Sequence, residues 1–213
     1  MATQKKSKLS ALSGKKRKKR ARQNSVDVDL ASLLAIDHAC TGCTPKELCC
    51  CARYEVCITN KELNRIIEVL PEIVKICPHL KAGEGFDNLF DEVEPGLFAL
   101  DTTEKGLCLL AFVSGNKIRC SLHTAAAKLG LPLQQVKPKA CLLWPLSFSE
   151  GAELLSIDED ALSFPCTTRR AKPSRRLCAA FGESIEIVYG KGLGRQVEND
   201  ARKGARRTTL ISH

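Results

Sequence analysis

Cys49, Cys50 and Cys51 stand side by side, three of the twelve cysteines in a chain of 213 residues. So many thiols leave three chemistries open: disulfide staples, small buried filler, or ligands to a metal. Adjacent cysteines do not comfortably bridge one another, and bridges belong mainly to small secreted chains. The apolar patch over residues 9–12 is too short for the core of a secretory signal. A cytoplasmic, reducing setting is therefore expected, and there clustered cysteines bind metal or do redox chemistry.

Cys40 and Cys43 form a C-x2-C unit. A tight turn of that length presents two thiolates to one ion, with the intervening amides turned toward the sulfurs. The thiolate triplet follows within eight residues of Cys43 on a segment rich in Thr, Gly and Pro, which reads as a loop. A tetrahedral site draws two ligands from each of two such units. Cys120 and His123 offer a C-x2-H unit, so Cys40, Cys43, Cys120 and His123 form one candidate set. Cys50, Cys51, Cys108 and Cys141 form another. Neither the bacterial nor the plant ferredoxin spacing is present.

Charge is segregated. Residues 1–22 carry ten Lys or Arg and no acid, residues 23–165 sum to −8, and residues 166–213 sum to +7, giving the net +9. The basic run over 15–20 repels itself, so residues 1–24 are expected to be a disordered basic arm. It is either a solvated tail or a non-specific contact for nucleic acid or ribosome, without an aromatic to stack on a base. The longest apolar run, residues 107–113, is far short of the roughly 20 residues that span a bilayer. No membrane partner is expected.

Hydrophobic spacing predicts a short helix over 26–37 with Leu30, Leu33 and Leu34 on one face. It predicts a strand at Tyr54, Val56 and Ile58, and a capping box from Thr59 to Glu62 opening a helix that carries Leu63, Ile66, Ile67 and Leu70. Pro71 kinks that helix or begins another, and Pro78 ends it. Residues 81–96 read as a surface connection. A β-hairpin is predicted over 107–122, turning at Ser114-Gly115-Asn116, with Cys108 and Cys120 in its two arms. A helix follows over 121–129, stopped by Gly130. Residues 138–145 read as irregular or extended and 153–157 as a strand. A last helix begins at Ser174 and stops near Gly190. The span beyond Gly194 reads as a mobile basic tail.

Two blocks resemble a known family. The stretch HACTGCTPKELCCCARYEVCITNKELNRI and the later GLCLLAFVSGNKIRCSLHTAAAKLGLPLQQVKPKACLLWPLSF resemble the YkgJ-like cysteine-cluster family, a zinc- or iron-chelating domain with a C-x2-C-x2-C-C opening. Its second block has a strand cysteine, Cys-x-hydrophobic-His/Tyr, then Lys/Arg-Pro, Cys and aromatic-Pro. The resemblance implies eight metal-binding cysteines: Cys40, Cys43, Cys50, Cys51, Cys108, Cys120, Cys141 and, in SFPCTT, Cys166. Cys50-Cys51 is the pair because the family's helix-opening Thr falls eight residues after it, as Thr59 does here. Six residues rather than two separate Cys43 from Cys50, which leaves Cys49 as an alternative ligand.

Cys57 reads as core or surface, Cys77 as buried filler and Cys178 as a core residue of the last helix. His38 and His123 suit hydrogen-bonding neighbours of the ligands as readily as ligands. Trp144-Pro145 is expected to pack over the site and dry it. The whole is expected to be an α+β domain over 25–194, organised by metal, between a basic arm over 1–24 and a mobile tail over 195–213. Its function is metal binding, as an iron–sulfur cluster or a zinc or iron ion. The resemblance also allows an iron–sulfur oxidoreductase or group-transfer enzyme, and the basic ends allow a zinc-stabilised module on nucleic acid or ribosome.

Overall fold

A computed structural model describes residues 25–40, 42–47, 49–81, 89–148, 154–172 and 174–211. The basic arm expected over 1–24 lies outside them. The first strand, β1 (Ser25–Asp29), runs into the one-turn helix α1 (Leu30–Leu34), and strand β2 (Ile36–His38) follows. The helix predicted over 26–37 is thus only its middle turn, flanked by strands. Asp29 ends β1 and caps α1, its carboxylate accepting from Ala31 N at 3.1 Å and Ser32 N at 3.4 Å. Leu30, Leu33 and Leu34 are buried together, as their spacing requires.

After the cysteine loop, β3 (Val56–Thr59) feeds α2 (Asn60–Ile76). The capping box is present: Thr59 Oγ1 accepts from Glu62 N, and Glu62 accepts from Thr59 N at 2.9 Å. The helix runs through Pro71 without a break. Its core face is Ile66, Val69 and Ile73, whereas Ile67 is exposed. Part of the presumed surface connection is a strand, β4 (Phe90–Glu94), which pairs with β5 (Leu97–Leu100); β5 also pairs with β3.

The hairpin is shorter than predicted: β6 (Ala111–Ser114) and β7 (Lys117–Cys120) turn at Gly115 and Asn116. Cys120 lies opposite Ala111, and Cys108 precedes the hairpin in a bridge with Thr102. Helix α3 (Ser121–Leu129) ends at Gly130, whose φ of +63° suits a glycine C-cap. Residues 139–143, expected to be irregular, form the short helix α4 (Lys139–Leu143), after which β8 (Leu146–Phe148) and β9 (Leu154–Ile157) pair.

Strand β10 (Thr167–Arg169) pairs with β2, and α5 (Ala179–Tyr189) starts at a Cys178 cap rather than at Ser174. The span after Gly194 is not a mobile tail through residue 211. Helix α6 (Leu193–Arg202) packs on α5, and β11 (Arg207–Ile211) pairs along the full length of β1. Gly194 allows this packing, since a Cβ there would lie 2.5 Å from Gly182 O.

The result is an α+β fold with two main cores. One gathers Val28, Leu30, Leu33, Leu155, Phe181, Ile185, Val197 and Leu210 under the sheet β11-β1-β9-β8. The other gathers Ile58, Ile66, Ile73, Leu100, Leu122 and Ala125 between the sheet β3-β5-β4 and helices α2 and α3. Among the described residues no helix is long and apolar enough to cross a membrane.

Candidate metal centre

The two cores leave a cavity of about 500 Å³ at their seam. Leu100, Leu110 and Leu122 line it from one core, and Leu143 and Leu146 from the other. Five of the eight expected ligands open onto it: Cys50, Cys51, Cys108, Cys120 and Cys141. They come from four separate stretches of chain, and each stretch is fixed by backbone hydrogen bonds near its cysteine.

Cys50 and Cys51 lie in a 3-10 turn over Cys50–Ala52, closed by Ala52 N donating to Cys49 O at 2.9 Å. Cys108 N donates to Cys51 O at 2.7 Å, which clips the turn to the segment before the hairpin. Cys120 ends β7, and the next residue anchors it: Ser121 N and Oγ both donate to Leu110 O, at 2.9 and 2.7 Å. Cys141 lies within α4, whose first amide, Lys139 N, donates to Glu62 Oε1 at 2.8 Å. The carboxylate that completes the α2 cap therefore also holds the helix that carries Cys141.

Cys49, Cys50 and Cys51 have their sulfurs within 4.8 Å of one another, the one such trio of Cys, His, Asp or Glu ligand atoms among the described residues. Cys49 is buried against Ala111 and Ile118, with Cys43, Cys51 and Cys108 packed around them. Cys40, Cys43 and Cys166 do not reach the cavity. Cys40 and Cys166 adjoin the β2–β10 ladder, where Ala39 N donates to Cys166 O at 2.9 Å, and Cys43 packs against Ala111 and Ile118. Cys57, expected to be core or surface, is an exposed residue on the cavity rim.

The other expectations resolve simply. Cys77 is buried, beside Ser121 and Cys120. Cys178 is a latch, its Sγ donating to His38 O at 3.2 Å and accepting from His38 N at 3.4 Å. His38 is buried, bonded through Nδ1 to Thr167 Oγ1 at 3.0 Å and stacked on Phe181, and burial lowers its pKa. His123 is exposed on α3 and does not line the cavity. The set Cys40, Cys43, Cys120 and His123 is not brought together: Cys120 faces the cavity while Cys40 and Cys43 lie near Cys166. Trp144 lines the cavity and packs on Tyr54 and Phe164, with ring centroids 4.8 and 4.9 Å away.

Burial governs the electrostatics. It pushes the Cys108 thiol up to about 11 and the Cys141 thiol up to about 12. A hydrogen bond with Cys49, aided by burial, pushes Cys50 up to about 12. Lys137 was not singled out from the sequence, although it opens the Lys-Pro pair ahead of Cys141. Burial acts to lower its pKa, but Cys120, Cys141, Cys51 and Cys50 outweigh it and the net shift is upward. The cavity's second lysine, Lys139, turns its ammonium over the Tyr189 ring, 4.7 Å from the centroid. Asp158 is held by Tyr54 OH and Asp160 N. Lys137 thus supplies positive charge to the sulfur-lined end.

Comparison of the chain with known protein families, curated proteins and solved structures finds no match. The functional reading rests on donor chemistry and geometry. The donors are sulfurs in an apolar, aromatic-walled space, a set that fits soft metals such as iron in iron–sulfur clusters or zinc, and not magnesium or calcium.

Proposed function

We propose that this is a metal-binding protein whose principal centre fills the sulfur-lined end of the cavity, held by Cys51, Cys108, Cys120 and Cys141 with Cys50 beside them. The observation that carries the reading is convergence: cysteines from four distant stretches open onto one space. Chance filler does not do this, since buried thiols acting as small apolar groups have no reason to open onto one shared space. The resemblance to the YkgJ-like cysteine-cluster family points the same way.

An iron–sulfur cluster suits the spacing better than a single ion. Four sulfurs on one tetrahedral zinc, each about 2.3 Å from it, sit about 3.8 Å apart. Cys108, Cys120 and Cys141 belong to no trio within 4.8 Å, and they line a cavity of about 500 Å³. A cluster of several irons holds its thiolates farther apart and occupies the sulfur-lined end of such a space. When bound it supplies one-electron chemistry. The chain's own residues exclude water with Tyr54, Trp144 and Leu143, and offset the thiolate charge with Lys137.

The test is anaerobic reconstitution with ferrous iron and sulfide. The expected product is brown, with a visible sulfide-to-iron absorption band, and Cys108→Ser and Cys141→Ser lose the band while staying folded. Colourless protein that takes up zinc alone rejects the cluster and keeps a metal centre. Protein that takes up neither rejects both.

A second reading, an enzyme built on the centre, has its own observation. The cavity extends past the cysteines to Tyr54, Val56, Leu100 and Trp144, leaving room for a small organic molecule beside the metal.

A further inference from the structure

Residues 166–213 carry eleven Lys or Arg and four acids, and most of those acids serve the fold. Glu186 accepts from Gly192 N at 2.6 Å and from Arg195 N at 3.3 Å. Glu198 accepts from Leu177 N at 2.7 Å and from Arg202 Nε at 2.9 Å. Asp200 accepts from Thr208 Oγ1 at 2.6 Å and pairs with Lys203 at 3.6 Å. Of the four, Glu183 alone is exposed.

Helix α6 is the axis around which the cations gather. It buries Gly194, Val197 and Ala201, so Arg195, Arg202 and Lys203 stand exposed on its outer face. Along one flank, Gln196 Nε2 donates to Thr209 O at 3.1 Å, which sets β11 alongside with Arg206 and Arg207 exposed. Along the other, the bond from Leu177 N to Glu198 holds the segment that presents Lys172, Arg175 and Arg176, all exposed. Arg170 braces that segment, donating to Arg176 O at 2.7 Å and pairing with Asp37. A shallow polar cleft of about 460 Å³ runs along α6, lined by Gly192, Arg195, Gln196, Asn199, Asp200 and Lys203. Strand β11 is the edge of its sheet, and Ser25, opposite Ile211, is where residues 1–24 join. Ten more Lys or Arg therefore enter the chain beside this face, with no acid among residues 1–22. The acids of β1 are engaged: Asp27 accepts from Thr209 Oγ1, and Asp29 caps α1.

We propose that the outer face of α6, flanked by β11 and the segment over 170–177, binds the phosphate backbone of a double-stranded nucleic acid. Exposed cations from three stretches of chain neutralise phosphates and release their counterions. Most of them are Arg, whose planar fork donates two parallel bonds to a phosphate. A duplex fits better than a single strand, which is held by stacking its bases on aromatic side chains. Residues 166–211 hold two aromatics, and neither is available: Phe181 is in the first core, and Tyr189 has a buried hydroxyl and a ring lying under Lys139. Contacts to phosphate alone carry no sequence information, so binding is independent of sequence. None of these residues lines the sulfur cavity, so the surface stands apart from the metal-binding reading.

Fluorescence anisotropy of the full chain with a short RNA duplex, and in parallel a DNA duplex, tests this across a salt series. Arg175→Gln/Arg195→Gln/Arg207→Gln removes one exposed cation from each of the three stretches. Each phosphate contact adds about −0.9 to the slope of log affinity against log salt, so between about 50 and 200 mM salt the wild type should lose roughly 40-fold more affinity than this variant. Lys61→Gln/Lys81→Gln/Lys105→Gln removes the same charge from exposed positions elsewhere and is expected to keep the wild-type slope. That pattern with either duplex supports the proposal, and the tighter of the two names the nucleic acid. Replacing the six cations of residues 15–20 with Gln is expected to weaken binding further while leaving the effect of the Arg triple variant in place. If the arm variant removes all duplex binding and the Arg triple variant removes none, the folded face is not the site. Two triple variants that behave alike also overturn the proposal, as does a duplex held no better than a single strand or polyglutamate of equal charge. Circular dichroism on each variant separates lost contacts from lost fold.

Discussion

Lys137 is a cation placed among thiols, and its contribution is measurable at a single side chain. It lines the cavity and faces Cys120, Cys141, Cys51 and Cys50. Removing one partly buried charge from a thiolate-bound metal is expected to weaken zinc binding by about tenfold, equivalent to roughly 1.4 kcal/mol. Chelator competition should find that loss in Lys137→Met and little of it in Lys137→Arg. The thiols make a second prediction, about pH. Cys108 and Cys141 are held near 11 and 12 by burial, above the usual value of 9. Raised folded-state values stabilise the metal-free fold below the unfolded value, and that stability is lost as pH climbs toward the folded ones. The melting temperature of metal-stripped protein should therefore fall as pH rises above about 9, less so in Cys141→Ala. Metal-loaded protein should do the opposite and lose stability in acid, as protons compete for the thiolates. The cysteine positions were legible because thiol spacing is written in the chain. Lys137 was not, because a lone lysine before a proline says nothing of which way it points.

Helix α2 and helix α4 share one carboxylate, and the consequence belongs to the elements. Thr59→Ala removes half of a capping box and is expected to cost about 1 kcal/mol, read from thermal or urea melts. Glu62→Ala removes the other half and also the acceptor for Lys139 N, so it should cost more than Thr59→Ala. It should also lower metal retention through Cys141, which Thr59→Ala should leave intact. The capping box was plain in the sequence because Thr59, Glu62 and the apolar run behind them are local signals. Helix α4 was not, because Pro138 and Pro145 bracket only five helical residues whose stability comes from packing and from Glu62. The hairpin was placed correctly but drawn too long. Residues 108–110 are apolar for the sake of the second core and the cavity rather than for strand pairing.

Strands β1 and β11 close the molecule on itself, pairing from Ser25 with Ile211 to Asp29 with Arg207. Between them the chain departs, builds the second core, and returns to lay β9 parallel to β1, with Asp27 opposite Leu154. Ending the chain at Gly194 would remove Val197, Ala201 and Leu210 from the first core and leave β1 as an edge. At about 1–3 kcal/mol for each buried side chain, before the lost ladder is counted, that consumes much of a typical 5–15 kcal/mol margin. The truncated protein is expected to lose a cooperative melt. This part of the fold was hidden because α6 and β11 are basic and polar on their outer faces, and their few core residues are too sparse to announce an element. The α+β class was legible from mixed helical and alternating patterns, but the pairing of β1 with β11 was not, since no local signal encodes it.

The most direct measurement is the metal, acid-labile sulfide and visible spectrum of protein purified without oxygen from cells, before any reconstitution. The account predicts bound iron with matching sulfide and a brown colour, both lost together in folded Cys108→Ser/Cys120→Ser/Cys141→Ser. Folded wild-type protein with twelve free thiols and no bound metal, unable to acquire any, would contradict it.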